Sequence, residues 1–379
     1  MTNASWALFV LLGIGCSGVA QQSTPPAPQQ DRSHPELSHR PPPGVGEPQD
    51  RIKLDVVVTD AAGHPVAGLT QQDFTLLDNK KPQPIRSFQE VDGTVGSGKD
   101  GPPVQVILLI DVTNTPLRVV GNERFQIESF LRRNGGRLAQ PTSLMIFDDY
   151  GVKVEPRLTR DGNLLADELN QAESTMHSIQ LTTQREAELV TLSLNTLQRI
   201  SDAEDTRPGR KMLIWIGDGW STLESSHYLF TSHEYGVQFD RVVTASRALR
   251  ESRITLYSIY PTDPAITNEP RQQQYRSFLK GVHSVNQVRP GNLALPVLAI
   301  HSGGRALDQP GDLGDQIASC IADAKSYYTL SFDPATAKHV DEYHEIAVRM
   351  DKAQLKARTT SGYYVEPSFQ IQLPALVDK

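Results

Sequence analysis

Four short runs, "VQVILLI" (104–110), "TSLMIFD" (142–148), "KMLIWIG" (211–217) and "ITLYSIY" (254–260), are apolar at nearly every position. A strand with one wet face alternates apolar and polar residues, so runs this continuous must be buried on both sides. Between and after them, segments around 124–133, 164–176, 185–200, 239–251, 293–301 and 313–324 place apolar residues near helical spacing. This alternation predicts an α/β fold over residues 104–325, a mainly parallel sheet with helices on both faces. "YGVKVEPRL", directly after the second run, reads as a short antiparallel edge strand reached by a tight turn at 149–151.

The flanks have a different texture. Ile52, Leu54, Val56 and Val58 sit at alternate positions, the period of a half-buried strand. "DAAGHP" then reads as a turn, and "DFTLLD" and "PIRSFQEV", separated by "NKKPQ", read as a hairpin. Beyond 325, "SYYTLSF", "YHEIAVRM" and "LKARTTSGYYV" read as three strands, with Asp333 and Pro334 turning between the first two. Residues 50–92 form too small a unit to be stable alone, so they are expected to join residues 326–366 in one small β-sandwich. The α/β domain then becomes an insertion, entered through a linker at 93–103 and followed, after the sandwich, by a tail at 367–379. Residues 261–290, rich in Gln, Arg and Pro, read as a long surface insertion.

The first twenty residues, "MTNASWALFVLLGIGCSGVA", carry an apolar core followed by the small residues Gly18 and Ala20, the form of an export signal. The stretch is too short for a membrane span, and none is expected once it is removed. "GIGCSG" leaves open a lipid-anchored form at Cys16, although Gly13 stands where a leucine-like residue is expected. Residues 21–49, with "TPPAPQQ" and "RPPPGVGEP", bury too little apolar surface to offset their ordering entropy and are expected to be a disordered tether. A periplasmic, secreted or envelope-associated location follows. Of the two cysteines, only Cys320 survives loss of the leader, so no internal disulfide can form. Cys320 lies in the helical pattern "QIASCIADA" and reads as a buried, inert thiol.

Charge and motifs exclude several classes of function. Against 37 Lys+Arg stand 44 Asp+Glu, a net charge of -7, and no basic block with interleaved aromatics appears, so nucleic acid is not an expected partner. "GIGCSG" matches a dinucleotide-binding spacing only inside the leader, without strand and helix around it. "GTVGSGKD" ends on Asp100 where a P-loop needs Ser or Thr, and Pro102 and Pro103 forbid the helix that must follow. No GxSxG, HExxH or paired-Cys motif occurs, and the ten histidines are scattered, so an enzyme is not expected. His301, ending a helical segment, reads as a packing residue.

Ligands of open α/β sheets gather at the carboxyl ends of the strands. Asp111 ends the first run, and Thr113 and Thr115 alternate beyond it, placed to aim two hydroxyls where the carboxylate points. The third run ends on Asp218 between two glycines, and "QLTTQRE" brings Thr183, or alternatively Thr182, from the mouth of a helix. Carboxylates, hydroxyls and water make a hard oxygen site suited to Mg2+ or Mn2+. The simpler alternative is that these residues cap the helices that follow them. For the whole set, in this order, the metal reading is preferred.

The order "ILLIDVTNT", "SLMIFD", "LTTQ", "LIWIGDG", "ITLYSIY", "LAIHSGGRAL" resembles a von Willebrand factor type A domain, a Rossmann-like fold. The flanking strands are similar to those of exported von Willebrand A-related proteins of acidobacteria, so the resemblance covers nearly everything after the tether. It implies a metal-ion-dependent adhesion site, where a divalent cation keeps one coordination position open for an Asp or Glu carboxylate of a partner protein. In it, Asp111, Thr113 and Thr115 match the family's Asp-x-Ser-x-Ser, Thr183 or Thr182 the mid-loop threonine, and Asp218 the later aspartate. The chain departs from the pattern in two places: threonine replaces serine twice, and Pro116 restricts Thr115 to extended backbone. The expectation is an exported, non-enzymatic adhesion module; the alternative is a metal-free envelope scaffold or assembly factor binding through loops at 220–235 and 261–290. Family precedent adds a shift of the last helix, 313–324, that couples the site to the sandwich.

Overall fold

The computed structural model describes residues 51–93, 102–152, 157–172, 183–220, 232–261, 275–335, 338–339 and 341–365. The expected leader, tether and tail, Thr182, and most of the 93–103 linker lie outside the described residues. The chain opens with β1 (Ile52–Thr59), β2 (Phe74–Asp78), β3 (Lys81–Pro82) and β4 (Ser87–Asp92). It crosses into β5 (Gln105–Asp111), α1 (Leu117–Leu131), β6 (Arg137–Asp148), β7 (Gly151–Val152), β8 (Thr159–Asp161), α2 (Gly162–Ala172) and α3 (Thr183–Asp205). Next come β9 (Lys211–Ile216), α4 (Ser232–Glu251), β10 (Ile254–Ile259), α5 (Leu295–His301), β11 (Ala306–Leu307) and α6 (Leu313–Ile321). The return is through β12 (Ser326–Phe332), β13 (Glu342–Met350), β14 (Lys356–Arg358) and β15 (Gly362–Val365).

The central sheet runs β11-β10-β9-β5-β6-β7, parallel throughout except where β7 and the unforeseen β8 pair antiparallel with β6. Every residue of β5, β9 and β10 is buried, as continuous apolar runs require. On one face Val106, Leu108 and Ile110 pack with Val120 and Ile127 of α1, Leu165 of α2 and Ile317 of α6. On the other, Ile107, Leu109 and Trp215 pack with Leu197 of α3, Leu249 of α4 and Leu298 of α5. Each such fully buried aliphatic side chain contributes roughly 1.5–3 kcal/mol. Cys320 is fully buried within the first cluster, and burial pushes its thiol up to about 12, so it is inert at neutral pH.

The antiparallel strands form two four-stranded sheets, β14-β1-β12-β4 and β15-β13-β2-β3, enclosing a core of Leu54, Val56, Phe74, Leu76, Leu330 and Ile346 among others. Pairing of β1 with β12 and of β2 with β13 joins the two ends of the chain. The expected hairpin does not form. β2 turns through Asn79 and Lys80 into β3, while β4 pairs with β12 in the other sheet. "LKARTTSGYYV" also divides, β14 joining β1 and β15 joining β13, and Asp333 carries the chain across the sandwich, held by Arg51 and Arg86 at 2.9 and 2.7 Å. Alternation cannot distinguish these cases, because strands on facing sheets turn the same alternate residues into one core.

Where the chain leaves and re-enters the sandwich, the two crossings touch. A Cβ on Gly93 would lie 1.9 Å from the Ala324 carbonyl oxygen, so only glycine lets them pass. Val57, Val91 and Tyr327 extend the core of the α/β body into this junction. Asp323 accepts from Arg358 at 2.7 Å and from the Tyr257 hydroxyl at 2.8 Å, while Arg210 donates to its carbonyl and lies over the Tyr327 ring.

Candidate metal centre

β5 lies between β6 and β9, and the next strand in sequence joins one side of it while the later ones build outward from the other. Its carboxyl end is therefore the topological switch point, where loops diverge and leave a crevice. Asp111 is the last residue of β5, fully buried. Its Oδ1 accepts from the backbone N–H groups of Thr113 and Asn114 at 3.2 and 2.9 Å. Its Oδ2 accepts from Asn114 Nδ2 at 2.8 Å and from Trp215 Nε1 at 2.9 Å. Burial raises the Asp111 carboxyl to about 6 despite these four bonds. A carboxylate offers about four acceptor directions, and here N–H groups take all of them.

The two threonines diverge. Thr113 Oγ1 donates toward β6, to the Phe147 carbonyl at 3.3 Å, while Thr115 Oγ1 accepts from the Asp218 N–H beyond β9 at 3.0 Å. The expected convergence of both hydroxyls with the Asp111 carboxylate on one point is not what the loop adopts. Gly217 makes the Thr115 contact possible: at φ +141° its missing Cβ would stand 2.6 Å from Thr115 Oγ1 and 2.7 Å from Asp111 Cβ. Helix capping does not account for the loop either, since α1 begins at an N-cap Pro116 with no side-chain cap. Thr183 is the first residue of α3; its side chain, like Thr182, lies outside the described residues.

Three residues of the site were not foreseen. Asn114 braces Asp111 and also donates to Ser193 Oγ of α3 at 3.3 Å, and Trp215 supports the loop from below, edge-on to Phe147 and Trp220 at 5.4 and 5.3 Å. Glu123, on α1, is fully buried and neither carboxylate oxygen has a hydrogen-bond partner. Burial, then the charges of Asp218 and Asp111, push its carboxyl well above the usual range. Its signal was in the sequence: Glu123 interrupts the apolar stripe Val120, Ile127, Leu131 at helical spacing.

Three carboxylates thus share electrostatic reach at the sheet mouth, Asp111 ringed by N–H donors and Glu123 with no partner. Among the described residues, no group of three His, Cys, Asp or Glu side chains is spaced to hold a metal ion. Carboxylates and hydroxyls are the donor types that a hard divalent cation takes, but the described carboxylates are not gathered onto one point. The Asp111 oxygens are already engaged by four N–H donors. No protein-family model matches the chain, and no curated protein matches it.

Proposed function

We propose that this chain is an exported, non-enzymatic protein-binding module of von Willebrand A type that presents the mouth of its parallel sheet to a partner. The observation that carries the reading is the buried, unpartnered Glu123 carboxylate within reach of Asp111 and Asp218. A bound Mg2+ or Mn2+ supplies an open coordination position for an Asp or Glu carboxylate of the partner protein. Asp218, Glu123, Thr113 and Thr115 are the donors that would hold it, with Thr183, the first residue of α3, as the further expected hydroxyl; Asp111 acts as the fixed anchor of the loop. Among the described residues no helix is long and apolar enough to cross a membrane.

A second reading, a metal-free envelope scaffold, draws on the saturation of Asp111 by four N–H donors, which holds the loop closed without any cation. Titration of Mg2+ and Mn2+ into the full chain, followed by calorimetry, separates the two. The adhesion reading expects saturable binding that disappears in Asp218→Ala, and partner capture from an envelope fraction that a chelator abolishes. Capture that survives both the chelator and Asp218→Ala establishes the scaffold instead.

A further inference from the structure

The part of the 261–290 insertion that is described does not lie loose on the surface. Three single 3-10 turns are linked here: Asn292 of Pro290–Leu293 donates to the Phe278 carbonyl of Tyr275–Phe278 at 3.2 Å and accepts from Arg289 N at 2.7 Å, and Arg289 Nη1 donates to the Asn286 carbonyl of Val285–Gln287 at 3.1 Å. The segment is fastened to the sandwich: the Tyr364 hydroxyl donates to the Val282 carbonyl at 2.9 Å, and His283 stands edge-on to Tyr343 at 5.0 Å. Val282, Val288 and Leu293 bury their side chains against Phe239 and Val242 of α4 and against Tyr343 and Tyr364. A cleft walled this way is formed by the fold itself.

Between this segment and the outer face of β13 lies a cavity of about 680 Å3, lined among others by Lys80, Lys280, His283, Arg289, Tyr343 and Glu345. Three basic side chains, Lys80, Lys280 and Arg289, share the cleft with one carboxylate, in a chain whose net charge is -7. Their positions are set by backbone. Lys80 stands at the tip of the β2–β3 turn, with φ +66°, and the neighbouring Asn79 is bonded to the Glu345 backbone through both its N–H and its side-chain oxygen. Arg289 is fixed by donation from Nη1 to the carbonyls of Asn286 and Val288 at 3.1 and 2.7 Å.

We propose that this cleft binds a small organic anion carrying carboxylate or phosphate groups. The volume falls within the roughly 300–1,000 Å3 of small-ligand sites. Charge of one sign clustered around a concave cleft concentrates counter-ions more than the same charges spread over a convex surface, and here the three cationic side chains are exposed to an incoming ligand. Lys80, Lys280 and Arg289 supply the charge, Gln287 and Asn292 neutral hydrogen-bonding groups, and Tyr343 an aromatic wall for the body of the ligand. The site is independent of the carboxylates at the sheet mouth and stands whether or not that mouth holds a cation.

Calorimetric titration of the full chain at low salt with citrate, and separately with inorganic phosphate, tests the proposal. The expected result is one saturable site for at least one probe, with Kd below about 1 mM. Lys80→Glu with Lys280→Glu should weaken it by about tenfold or more, while Lys356→Glu, an exposed lysine on β14, leaves it unchanged. Binding of citrate alone assigns a carboxylate ligand, and of phosphate alone a phosphate ligand. If neither probe binds, if the double reversal binds like wild type, or if Lys356→Glu weakens binding equally, the site is refuted. Circular dichroism checks folding; should the double reversal not fold, Lys80→Gln and Lys280→Gln, each expected to weaken binding about threefold, carry the same decision.

Discussion

Asp78 in the sandwich and Asp111 in the α/β body are both withdrawn from water, at 2% and 0% exposure, yet their surroundings are opposite in kind. Both oxygens of Asp78 have side-chain partners: Oδ1 meets His344 Nδ1 at 2.8 Å and Oδ2 accepts from the Tyr363 hydroxyl at 2.7 Å, while His344 Nε2 has no hydrogen bond among the described residues and lies 3.6 Å from Glu342. Asp111 meets only N–H dipoles and an indole, with the bare Glu123 carboxylate within electrostatic reach. The sandwich pairs its buried carboxylate with groups that balance it. The sheet mouth instead brings acid groups within electrostatic reach of one another with, among the described residues, no cationic side chain to balance Glu123.

Removing Asp78 should have the largest effect. Asp78→Ala removes the partner that Tyr363 and His344 share, leaving them only their mutual contact at 3.2 Å, and buried polar groups left short of a partner cost about 3 kcal/mol. The midpoint of urea unfolding measures this directly. Asp111→Ala should cost less, about 2 kcal/mol. It takes the acceptor from Trp215 Nε1 and from the backbone N–H groups of Thr113 and Asn114, but at neutral pH it also removes a carboxylate that burial resists ionising. An Asp111→Ala loss equal to that of Asp78→Ala would erase the distinction between the two regions.

The parallel sheet was legible because strands covered on both sides have no polar positions to blur the pattern; Val106–Ile110 and Met212–Ile216 carry the reading almost alone. Helix starts were less legible. α1 begins at Leu117, seven residues before the expected 124, because Gly121 and the β-branched Val119 and Val120 weaken local propensity while Val120 packs on the sheet. Sandwich strands were found but not their partners, since period-two patterning is silent on which sheet a strand joins. At the site, Asp111 was correctly set at the end of its strand, whereas β9 ends at Ile216, two residues before Asp218, and side-chain direction was not readable. Asn114 and Trp215, which turn the Asp111 oxygens inward, act across 79 and 104 residues of sequence in their bonds to Ser193 and Asp111.

Glu123→Gln should act in the opposite direction, stabilising the protein by about 1 kcal/mol at pH 8 and having no effect at pH 4. The sign follows from the raised carboxyls of Glu123 and Asp111, which bind protons more tightly folded than unfolded. Their contribution to stability is complete below the ordinary carboxylate range and is lost as pH rises through the raised values. For Asp111, whose carboxyl lies at about 6, that loss amounts to about 3 kcal/mol by neutral pH. Thermal unfolding between pH 4 and 8 should show wild type losing stability across this window and Glu123→Gln losing less. No such contrast is expected for Tyr363→Phe, which leaves the sheet mouth untouched. Equal pH slopes for wild type and Glu123→Gln would mean that Glu123 is already compensated.

The smallest stability change is expected from Thr113→Val, and it divides the two functional readings most cleanly. Valine nearly matches threonine in shape, and the bond given up, to the Phe147 carbonyl at 3.3 Å, is long, so the cost should stay below about 1 kcal/mol. Thr115→Val should cost slightly more, because it strands the Asp218 N–H that Thr115 Oγ1 accepts at 3.0 Å. A cation that stabilises the folded chain raises its unfolding midpoint in proportion to the logarithm of its concentration over Kd. If the hydroxyls help to hold that cation, Thr113→Val should abolish the Mg2+-dependent rise while leaving the midpoint without Mg2+ almost unmoved. If the hydroxyls only fasten the loop to β6 and β9, both variants should respond to Mg2+ as wild type does. A shared, undiminished response would return Thr113 and Thr115 to the architecture of the loop and leave Asp218 and Glu123 as the cation's holders.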